Sequence, residues 1–313
     1  MPEPGYEHQT FPILNTGSRL MKYALFLGCK IPFFQPQYET STRLVCDSLG
    51  VGLVDEEFNC CGYPVRHLNY YSYIHSAARN LALTEKKGLD LVTPCKCCFG
   101  SLKKAQHILV EQQNLLQRIN RDLSDEGLEY RGELRIRHLL QVLYHDVGLE
   151  AIKKAVTRPF ELPPVAVHYG CHALRPSNIT DFDNPYQPEM FDQLVKATGA
   201  VSVHMQKKIQ CCGNPLWEKN SDLSILLAAK RLNSAVEAGA GYICVACTYC
   251  QIQFDTVQQI MISEEKISDP LPSILYPQLL GLAMGFSANR LGMDVHQLDG
   301  RGIARFQGVS APA

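Results

Sequence analysis

The motif NCCGYP occupies residues 59–64, and a near copy, QCCGNP, occupies residues 210–215. Each motif belongs to a set of five cysteines, spaced C-x30-CC-x33-C-x2-C in the first half and C-x39-CC-x34-C-x2-C in the second. Ten of the thirteen cysteines fall into these sets. The first set is Cys29, Cys60, Cys61, Cys95 and Cys98, and the second is Cys171, Cys211, Cys212, Cys247 and Cys250. The recurring order indicates an internal duplication in which each half carries a thiol-rich site.

Short apolar runs alternate with segments of helical periodicity on both sides of these motifs. The predicted strands are residues 22–28, 51–54, 89–93, 165–169, 201–203 and 242–246. The predicted helices are residues 38–49, 71–87, 98–110, 188–198, 223–238 and 274–286. This alternation predicts an α/β fold with two duplicated, Rossmann-like parallel sheets. Because ligands of parallel sheets lie at the carboxyl ends of strands, we expect the two thiol sites at strand ends that face each other.

Composition shifts and proline clusters suggest where the duplicated halves begin and end. The predicted segments are an N-terminal lead-in at residues 1–21, a first cysteine-rich domain at 22–110, a helical connection at 111–160, a second cysteine-rich domain at 161–288 and a C-terminal tail at 289–313. We expect the connection to contain helices near residues 115–123 and 139–156 and a loop at residues 124–132.

The overall composition is that of a globular protein, with 46% hydrophobic and 19% charged residues. A net charge of −1 argues against nucleic acid or an anionic membrane surface as the main partner. The first 18 residues lack the pattern of a secretory signal, and no apolar run approaches the ~20 residues that span a bilayer. We therefore expect a cytoplasmic protein without direct membrane insertion.

Thiolates are soft ligands that select zinc, copper(I) or iron–sulfur groups. Clustered cysteines in a reducing compartment indicate metal or redox chemistry more often than structural disulfides. Five thiols per set exceed the four that a structural zinc or an ordinary cubane cluster requires. We favour an iron–sulfur group, with a zinc site and metal-free dithiol chemistry as the alternatives. Cys46 and Cys244 are interpreted as core residues, and Cys97 as a thiol that does not bind the metal.

Several polar residues lie next to the cysteines in sequence. His168, His172 and Arg175 flank Cys171 and are candidates for donating hydrogen bonds to a sulfur or for binding an anionic substrate. A structural role at the end of a strand is an equal alternative for His168. Lys96, beside Cys95, could lower the pKa of a thiol, but we expect a solvated lysine.

The wider motifs resemble HdrB, the catalytic subunit of heterodisulfide reductase, which carries two cysteine-rich CCG domains. The similarity runs from about residue 22 to residue 288. The matching segments are FLGC at 26–29, AARNLAL at 77–83, GLDLVTPC at 88–95, CFGSLKKA at 98–105, HYGCH at 168–172, LRPS at 174–177 and PQLLGLAMG at 277–285. The first cysteine gap is short for this family, and the CKCC sequence at residues 95–98 carries an extra thiol.

This resemblance implies an oxidoreductase that acts on a sulfur group. It implies two non-cubane [4Fe-4S] clusters, each bound by all five cysteines of one set, which are then both metal ligands and catalytic residues. A disulfide such as CoM-S-S-CoB in a methanogen would be bound and reduced between the clusters in one-electron steps. The implied partners are a ferredoxin-like subunit with cubane [4Fe-4S] clusters and a flavin subunit that supplies it with electrons.

Two other functions fit the same resemblance. The chain could be a related thiol or persulfide oxidoreductase of sulfur metabolism, including one that works in the oxidative direction. It could also be an electron-relay iron–sulfur subunit that passes electrons towards a quinone, because CCG domains occur in such proteins as well. In that case partner subunits would associate it with a membrane.

Overall fold

The computed structural model describes residues 21–160, 163–267 and 270–298. Almost all of the predicted lead-in, and residues 299–313 of the predicted tail, lie outside this described part. The described chain contains two four-stranded sheets whose strands are all parallel. This arrangement confirms the predicted α/β fold with two duplicated Rossmann-like domains.

The two sheets have the same strand order. The first contains β1 (Met21–Leu25), β2 (Val51–Val54), β3 (Asp90–Thr93) and β4 (Ile136–His138), in the order β2-β1-β3-β4. The second contains β5 (Val165–Val167), β6 (Ser202–Val203), β7 (Tyr242–Val245) and β8 (Ser273–Leu275), in the order β6-β5-β7-β8. The duplicated cysteine spacing therefore has a direct counterpart in the topology.

Helices cover both sheets and bury their apolar faces. In chain order they are α1 (Lys30–Phe34), α2 (Pro36–Ser48), α3 (Tyr70–Lys86), α4 (Lys96–Glu111), α5 (Gln113–Leu123), α6 (Leu139–Gln141), α7 (Leu149–Ala155), α8 (Ser177–Thr180), α9 (Met190–Ala197), α10 (Ser221–Glu237), α11 (Thr248–Ile252), α12 (Gln258–Ser263) and α13 (Tyr276–Ala283). Two π-helical segments, Val142–Val147 and Gln253–Val257, follow α6 and α11. None of the helices in the described ranges is long and apolar enough to cross a membrane.

The fourth strand of each sheet was missed by the sequence prediction. β4 lies in the segment predicted as a helical connection, and β8 takes up the start of the segment predicted as a helix over residues 274–286. Both strands have three residues and run directly into a helix. Because no loop separates strand from helix, the residues of each strand read as part of the helical pattern that follows them.

The cysteines lie at the carboxyl ends of the strands, as predicted. Cys95 follows β3 and is the N-cap residue of α4, and Cys247 follows β7 and is the N-cap residue of α11. The adjacent pairs are followed by Gly62 and Gly213, with φ angles of 78° and 96°. A Cβ at either glycine would lie 2.7 or 2.6 Å from a main-chain oxygen, so only glycine fits these turns.

Candidate metal centres at the junction of the two sheets

The five predicted thiols of the first half lie together in one continuous chain. The Sγ atoms of Cys29 and Cys60 are 3.5 Å apart. Cys60 then interacts with Cys61, Cys61 with Cys98, and Cys98 with Cys95. Cys29 is exposed, whereas Cys61, Cys95 and Cys98 are buried. The chain of sulfurs therefore runs from the surface into the interior.

The second set repeats this arrangement. Cys171 contacts Cys211, Cys211 contacts Cys212, Cys212 contacts Cys250, and Cys250 contacts Cys247. The main-chain N–H of Gly213 also donates to Cys211 Sγ at 3.4 Å. The order of contacts is the same as in the first half, position by position. The structure thus brings together all ten cysteines singled out in the sequence, in two sets.

The two chains of thiols meet at their inner ends. Cys95 Sγ and Cys247 Sγ are 4.0 Å apart, and both residues are buried. These cysteines occupy equivalent positions in the two halves. The strand ends that carry the thiols therefore face each other, as the duplication suggested.

The contacts among sulfurs favour ionisation at one member of each adjacent pair. Hydrogen bonds from Cys60 and then Cys98 hold the pKa of the Cys61 thiol well below its ordinary value. Hydrogen bonds from Cys171 and then Cys212 lower the pKa of Cys211 to about 2. The thiolate is the form that binds a metal, so Cys61 and Cys211 are the members of the adjacent pairs that ionise most readily. The pKa of Cys60 and Cys212, their neighbours, is raised.

The donor sets suit an iron–sulfur group better than a single ion. Among the described residues, no three or more His, Cys, Asp or Glu side chains are arranged around one point as ligands of one metal ion. The thiols instead form two extended chains of five, whereas a structural zinc takes four ligands in a tetrahedron. All ten donors are soft sulfurs, which suit zinc and copper(I) as well as iron–sulfur groups, so the preference rests on the number of thiols in each chain.

Each site has walls from both halves of the chain. The cavity beside the first set is also lined by Thr248 and Tyr249, which belong to the second half. The cavity beside the second set is lined by Lys96, which belongs to the first half. Neither site is complete without the other half. The sequence signal for Thr248 and Tyr249 is their position between Cys247 and Cys250, which matches that of Lys96 and Cys97 between Cys95 and Cys98.

His172 lies where the two sites adjoin. Its Nε2 atom and the hydroxyl of Tyr63 form a hydrogen bond of 3.2 Å, and the two rings meet edge to face with centroids 4.9 Å apart. The Tyr249 ring is 5.7 Å from the Tyr63 ring. Burial lowers the pKa of His172 to about 4, so the imidazole is neutral at pH 7. Sequence reasoning did not identify Tyr63, whose signal is its place in the CCGYP turn.

The other two candidate substrate-binding residues occupy very different environments. His168 is completely buried, and neither of its ring nitrogens has a hydrogen-bond partner. Burial lowers its pKa to about 3, and its ring packs edge to face on Phe254. Arg175 is exposed. The substrate-binding roles of His168, His172 and Arg175 stay predictions.

Lys96 is buried, and the expectation that it is solvated is wrong. It is 2% exposed, and its ammonium group donates to the main-chain oxygen of His168 at 3.1 Å. The ammonium also lies 4.4 Å from the centre of the Phe191 ring. Burial lowers the pKa of Lys96 to about 8, against the opposing effect of nearby thiols, of which Cys250 is the strongest. The second half provides these surroundings, which the local sequence around Lys96 does not reveal.

The three remaining cysteines are all buried. Cys46 lies in α2 and Cys244 in β7, where both contribute to the core as expected. Cys97 lines the cavity of the first set, and burial raises the pKa of its thiol well above the usual value. The pKa values of the predicted ligands Cys98 and Cys250 are shifted in the same direction, so the prediction that Cys97 does not bind metal stays a prediction.

Comparison with known families shows that both halves match one sequence profile. Residues 23–103 and residues 165–255 each match the family described as "Cysteine-rich domain". The two matches include every cysteine of the two sets.

Three curated proteins illustrate the range of similar sequences. The HdrB subunit of a ferredoxin:CoB-CoM heterodisulfide reductase from Methanosarcina mazei is 36% identical over 279 residues, which cover 87% of this chain and 92% of that protein. An HdrB-like protein from Archaeoglobus profundus is 35% identical, over 87% of this chain and 93% of its own. The membrane anchor subunit of an 8-methylmenaquinol:fumarate reductase from Wolinella succinogenes is 30% identical, over 89% and 97%.

A crystal structure of a hypothetical protein from Helicobacter pylori has a similar fold. It matches 90% of this chain with a TM-score of 0.70 and 18% sequence identity. This chain spans 52% of that protein. At this level of identity the similarity concerns the fold alone.

Proposed function

The chain belongs to the HdrB family of heterodisulfide reductase subunits, and on that premise we propose that it is the catalytic subunit of a heterodisulfide-reductase-like complex. Relatives of 35–36% identity over most of the chain are named as proteins of this kind. The observation that carries the proposal is the meeting of two equivalent five-thiol sites at Cys95 and Cys247, 4.0 Å apart. A disulfide at this junction would be within reach of both sites at once.

The proposed cofactors are two non-cubane [4Fe-4S] clusters, one on each set of five cysteines. When bound, they would supply electrons one at a time. Cys29, Cys60, Cys61, Cys95 and Cys98 would hold the first, and Cys171, Cys211, Cys212, Cys247 and Cys250 the second. The net reaction is one disulfide plus two electrons and two protons giving two thiols, with CoM-S-S-CoB as the proposed substrate.

Tyr63 and His172 are the residues proposed to position the substrate in this reaction. Their side chains line the first and second cavities respectively and are joined by a hydrogen bond across the junction. A neutral imidazole and a phenol have one donor each; the bond between them uses one of these, and the other can donate a hydrogen bond to sulfur. They can therefore orient a disulfide between the sites while the aromatic rings exclude water.

The proposed electron donor is a ferredoxin-like subunit with cubane [4Fe-4S] clusters, which receives electrons from a flavin subunit. Cys29 is exposed at the first site, and the nearby Phe33 and Phe34 are 79% and 57% exposed. Exposed aromatic residues at a redox site are typical of protein–protein contact surfaces. This supports approach of the donor from the side of the first site.

The test is spectroscopic, on protein purified without oxygen. We expect about eight irons per chain and, after addition of coenzyme thiol under mild oxidation, a paramagnetic signal that depends on the thiol. A substitution of one ligand, Cys250→Ser, should remove that signal if the second cluster carries it. Stoichiometric zinc without iron would overturn the proposal.

The Wolinella relative supports a second candidate function. That protein is named as a membrane anchor subunit of a menaquinol-dependent reductase and covers almost the same length. In this alternative the chain relays electrons between a quinone and a partner enzyme, and partner subunits associate it with a membrane. Quinone-linked activity without any thiol-dependent signal would favour the relay, whereas turnover of a disulfide by the purified chain with a reduced donor would favour the reductase.

A further inference from the structure

Two buried cationic side chains, one lysine and one arginine, lie beside the second set of thiols. Lys96 is 2% exposed and Arg231 is 3% exposed. Neither forms an ion pair with a carboxylate within residues 21–160, 163–267 and 270–298. A buried cation without an opposite charge is costly. The groups that can supply the missing negative charge here are the thiols of the second set.

Lys96 approaches the second set from the other half of the chain. It lines the same cavity as Cys171, Cys211, Cys212, Cys247 and Cys250. Its hydrogen bond goes to the main-chain oxygen of His168, a neutral acceptor. This acceptor does not neutralise the ammonium group, so no carboxylate offsets its charge beside the sulfurs.

Arg231 approaches the same set from α10. It donates through Nε to the main-chain oxygen of Leu227 at 3.4 Å and through Nη1 to the side-chain oxygen of Gln210. Both acceptors are neutral. Gln210 directly precedes Cys211 in the chain, so this hydrogen bond holds the guanidinium next to the adjacent pair of the second set. The charges of Cys211 and Cys212 act on the guanidinium.

The equivalent positions in the first half are neutral. Lys96 follows Cys95 directly, and the matching residue after Cys247 is Thr248, which lines the first cavity. Arg231 is the eleventh residue of α10, and the eleventh residue of the matching helix α3 is Asn80.

Asn80 is buried and uses its amide group to hold the main-chain oxygens of Asn59 and Cys60 at 3.2 and 3.1 Å. Lys30 also lines the first cavity, but it is partly exposed, so water and salt screen its charge. The duplication has therefore kept the thiols alike and made the charges around them different.

We propose that Lys96 and Arg231 are positioning residues that give the second cluster a higher reduction potential than the first. This inference rests on the proposed function, because it assumes a cluster on each set. Each cluster gains one electron from a low-potential one-electron donor, and its charge becomes one unit more negative with no atom transferred. Two buried cations stabilise that added negative charge at the second site. The first electron to enter the protein therefore comes to rest on the second cluster.

The experiment is a redox titration of the anaerobically purified, iron-loaded full chain, followed by paramagnetic resonance. The variants are Lys96→Met and Arg231→Met, each measured also with Cys98→Ser, which removes the first cluster and so identifies the second. The matched control is Lys103→Met, which lies on the same helix α4 and faces Asp181 and Arg137. Having two independent cation variants keeps the test decisive if one of them does not fold.

We expect each cation variant to lower the ratio of reduced to oxidised second cluster at least tenfold at a fixed potential, which corresponds to about 59 mV for one electron. Lys103→Met should leave both clusters unchanged, and Arg231→Met should leave the first cluster unchanged. Lys96→Met should shift the first cluster less than the second, because Cys95 acts on Lys96 more weakly than Cys250 and Cys247 do. Iron-loaded variants whose second cluster titrates as in the parent chain would overturn this inference and leave the proposed reductase function intact. A parent chain that contains no iron would overturn both.

Discussion

A hydrogen bond of 3.2 Å joins the hydroxyl of Tyr63 to Nε2 of His172, and it crosses from one half of the chain to the other. Tyr63 belongs to the turn after the first adjacent cysteine pair, and His172 follows the first cysteine of the second set. The bond therefore ties together the parts of the two sites that come from different domains.

Replacing Tyr63 by phenylalanine removes this bond and keeps the ring. We expect the free energy of unfolding to fall by about 1 kcal/mol, because a neutral hydrogen bond contributes about that much on balance. Thermal unfolding of the iron-loaded protein measures the change.

Tyr186→Phe is the matched control, because Tyr186 is 84% exposed. Its unfolding temperature should match that of the parent chain. If Tyr63→Phe unfolds at the parent temperature as well, the bond between the halves contributes nothing to stability.

Much of the fold could be predicted from sequence because the duplication repeats each signal. β2 was predicted to the residue, and the buried face of α3, with Ile74, Ala77, Ala78 and Leu81, follows the helical period that identified it. The ten cysteines that form the two thiol sets were also predicted from their spacing alone.

The rest depends on contacts between distant parts of the chain. Lys96 and Arg231 look like surface residues of amphipathic helices, and only packing against the second thiol set shows that they are buried. His138 in β4 was also missed because its partner is distant in sequence. Its Nε2 atom is hydrogen-bonded to the main-chain oxygen of Ala246, which is 108 residues away. Local periodicity carries no information about such partners.

Substitution of a cluster ligand should halve the iron content. For Cys98→Ser we expect about four irons per chain in place of about eight, since one of two four-iron clusters is lost. Cys97→Ala should keep the full complement, because Cys97 is predicted not to bind metal. Iron and sulfide analysis of anaerobic protein measures both.

Cys46→Ser provides the control for a buried cysteine outside the two sets. Its thiol lies in the core in α2, where burial raises its pKa to about 12. Iron content should stay at the parent level. Loss of half the iron from Cys97→Ala would instead make Cys97 a sixth ligand of the first site.

Acid should destabilise the fold through His138. This residue is completely buried, Nδ1 accepts a hydrogen bond from the Leu140 N–H at 3.1 Å, and Nε2 bonds to the Ala246 oxygen at 3.2 Å. Burial lowers the pKa of His138 to about 3 in the folded state, whereas an unfolded histidine has a pKa of about 6.5. As the pH falls, the histidine of the unfolded state therefore binds a proton before that of the folded state does. The free energy of unfolding that neutral His138 contributes above pH ~6.5 is lost as the pH falls towards ~3.

The measurement compares unfolding temperatures between about pH 5 and pH 7 for the parent chain and His138→Asn. One such group adds up to about 1.4 kcal/mol per pH unit to the slope of the free energy of unfolding against pH. His138→Asn should lose this contribution. His107→Asn, an exposed histidine on α4, should keep it. Equal slopes in the parent chain and His138→Asn would refute the assignment to His138.

The close approach of the two halves depends on a single glycine of α4. A Cβ on Gly100 would lie 2.4 Å from the main-chain oxygen of His172, far inside van der Waals contact. Gly100→Ala must therefore push α4 away from the second half. The N-cap residue of α4 is Cys95, whose sulfur is 4.0 Å from that of Cys247, so this shift separates the two thiol sites.

For Gly100→Ala we expect a loss of about 1–3 kcal/mol in stability, typical of overpacking at a tight contact, together with lower disulfide reductase activity at unchanged iron content. Chemical denaturation and a reductase assay with a reduced donor measure the two effects. Glu111→Ala, an exposed substitution at the end of the same helix, should change neither. If Gly100→Ala keeps full activity, catalysis tolerates separation of the thiol sites, and a substrate shared between Cys95 and Cys247 is ruled out.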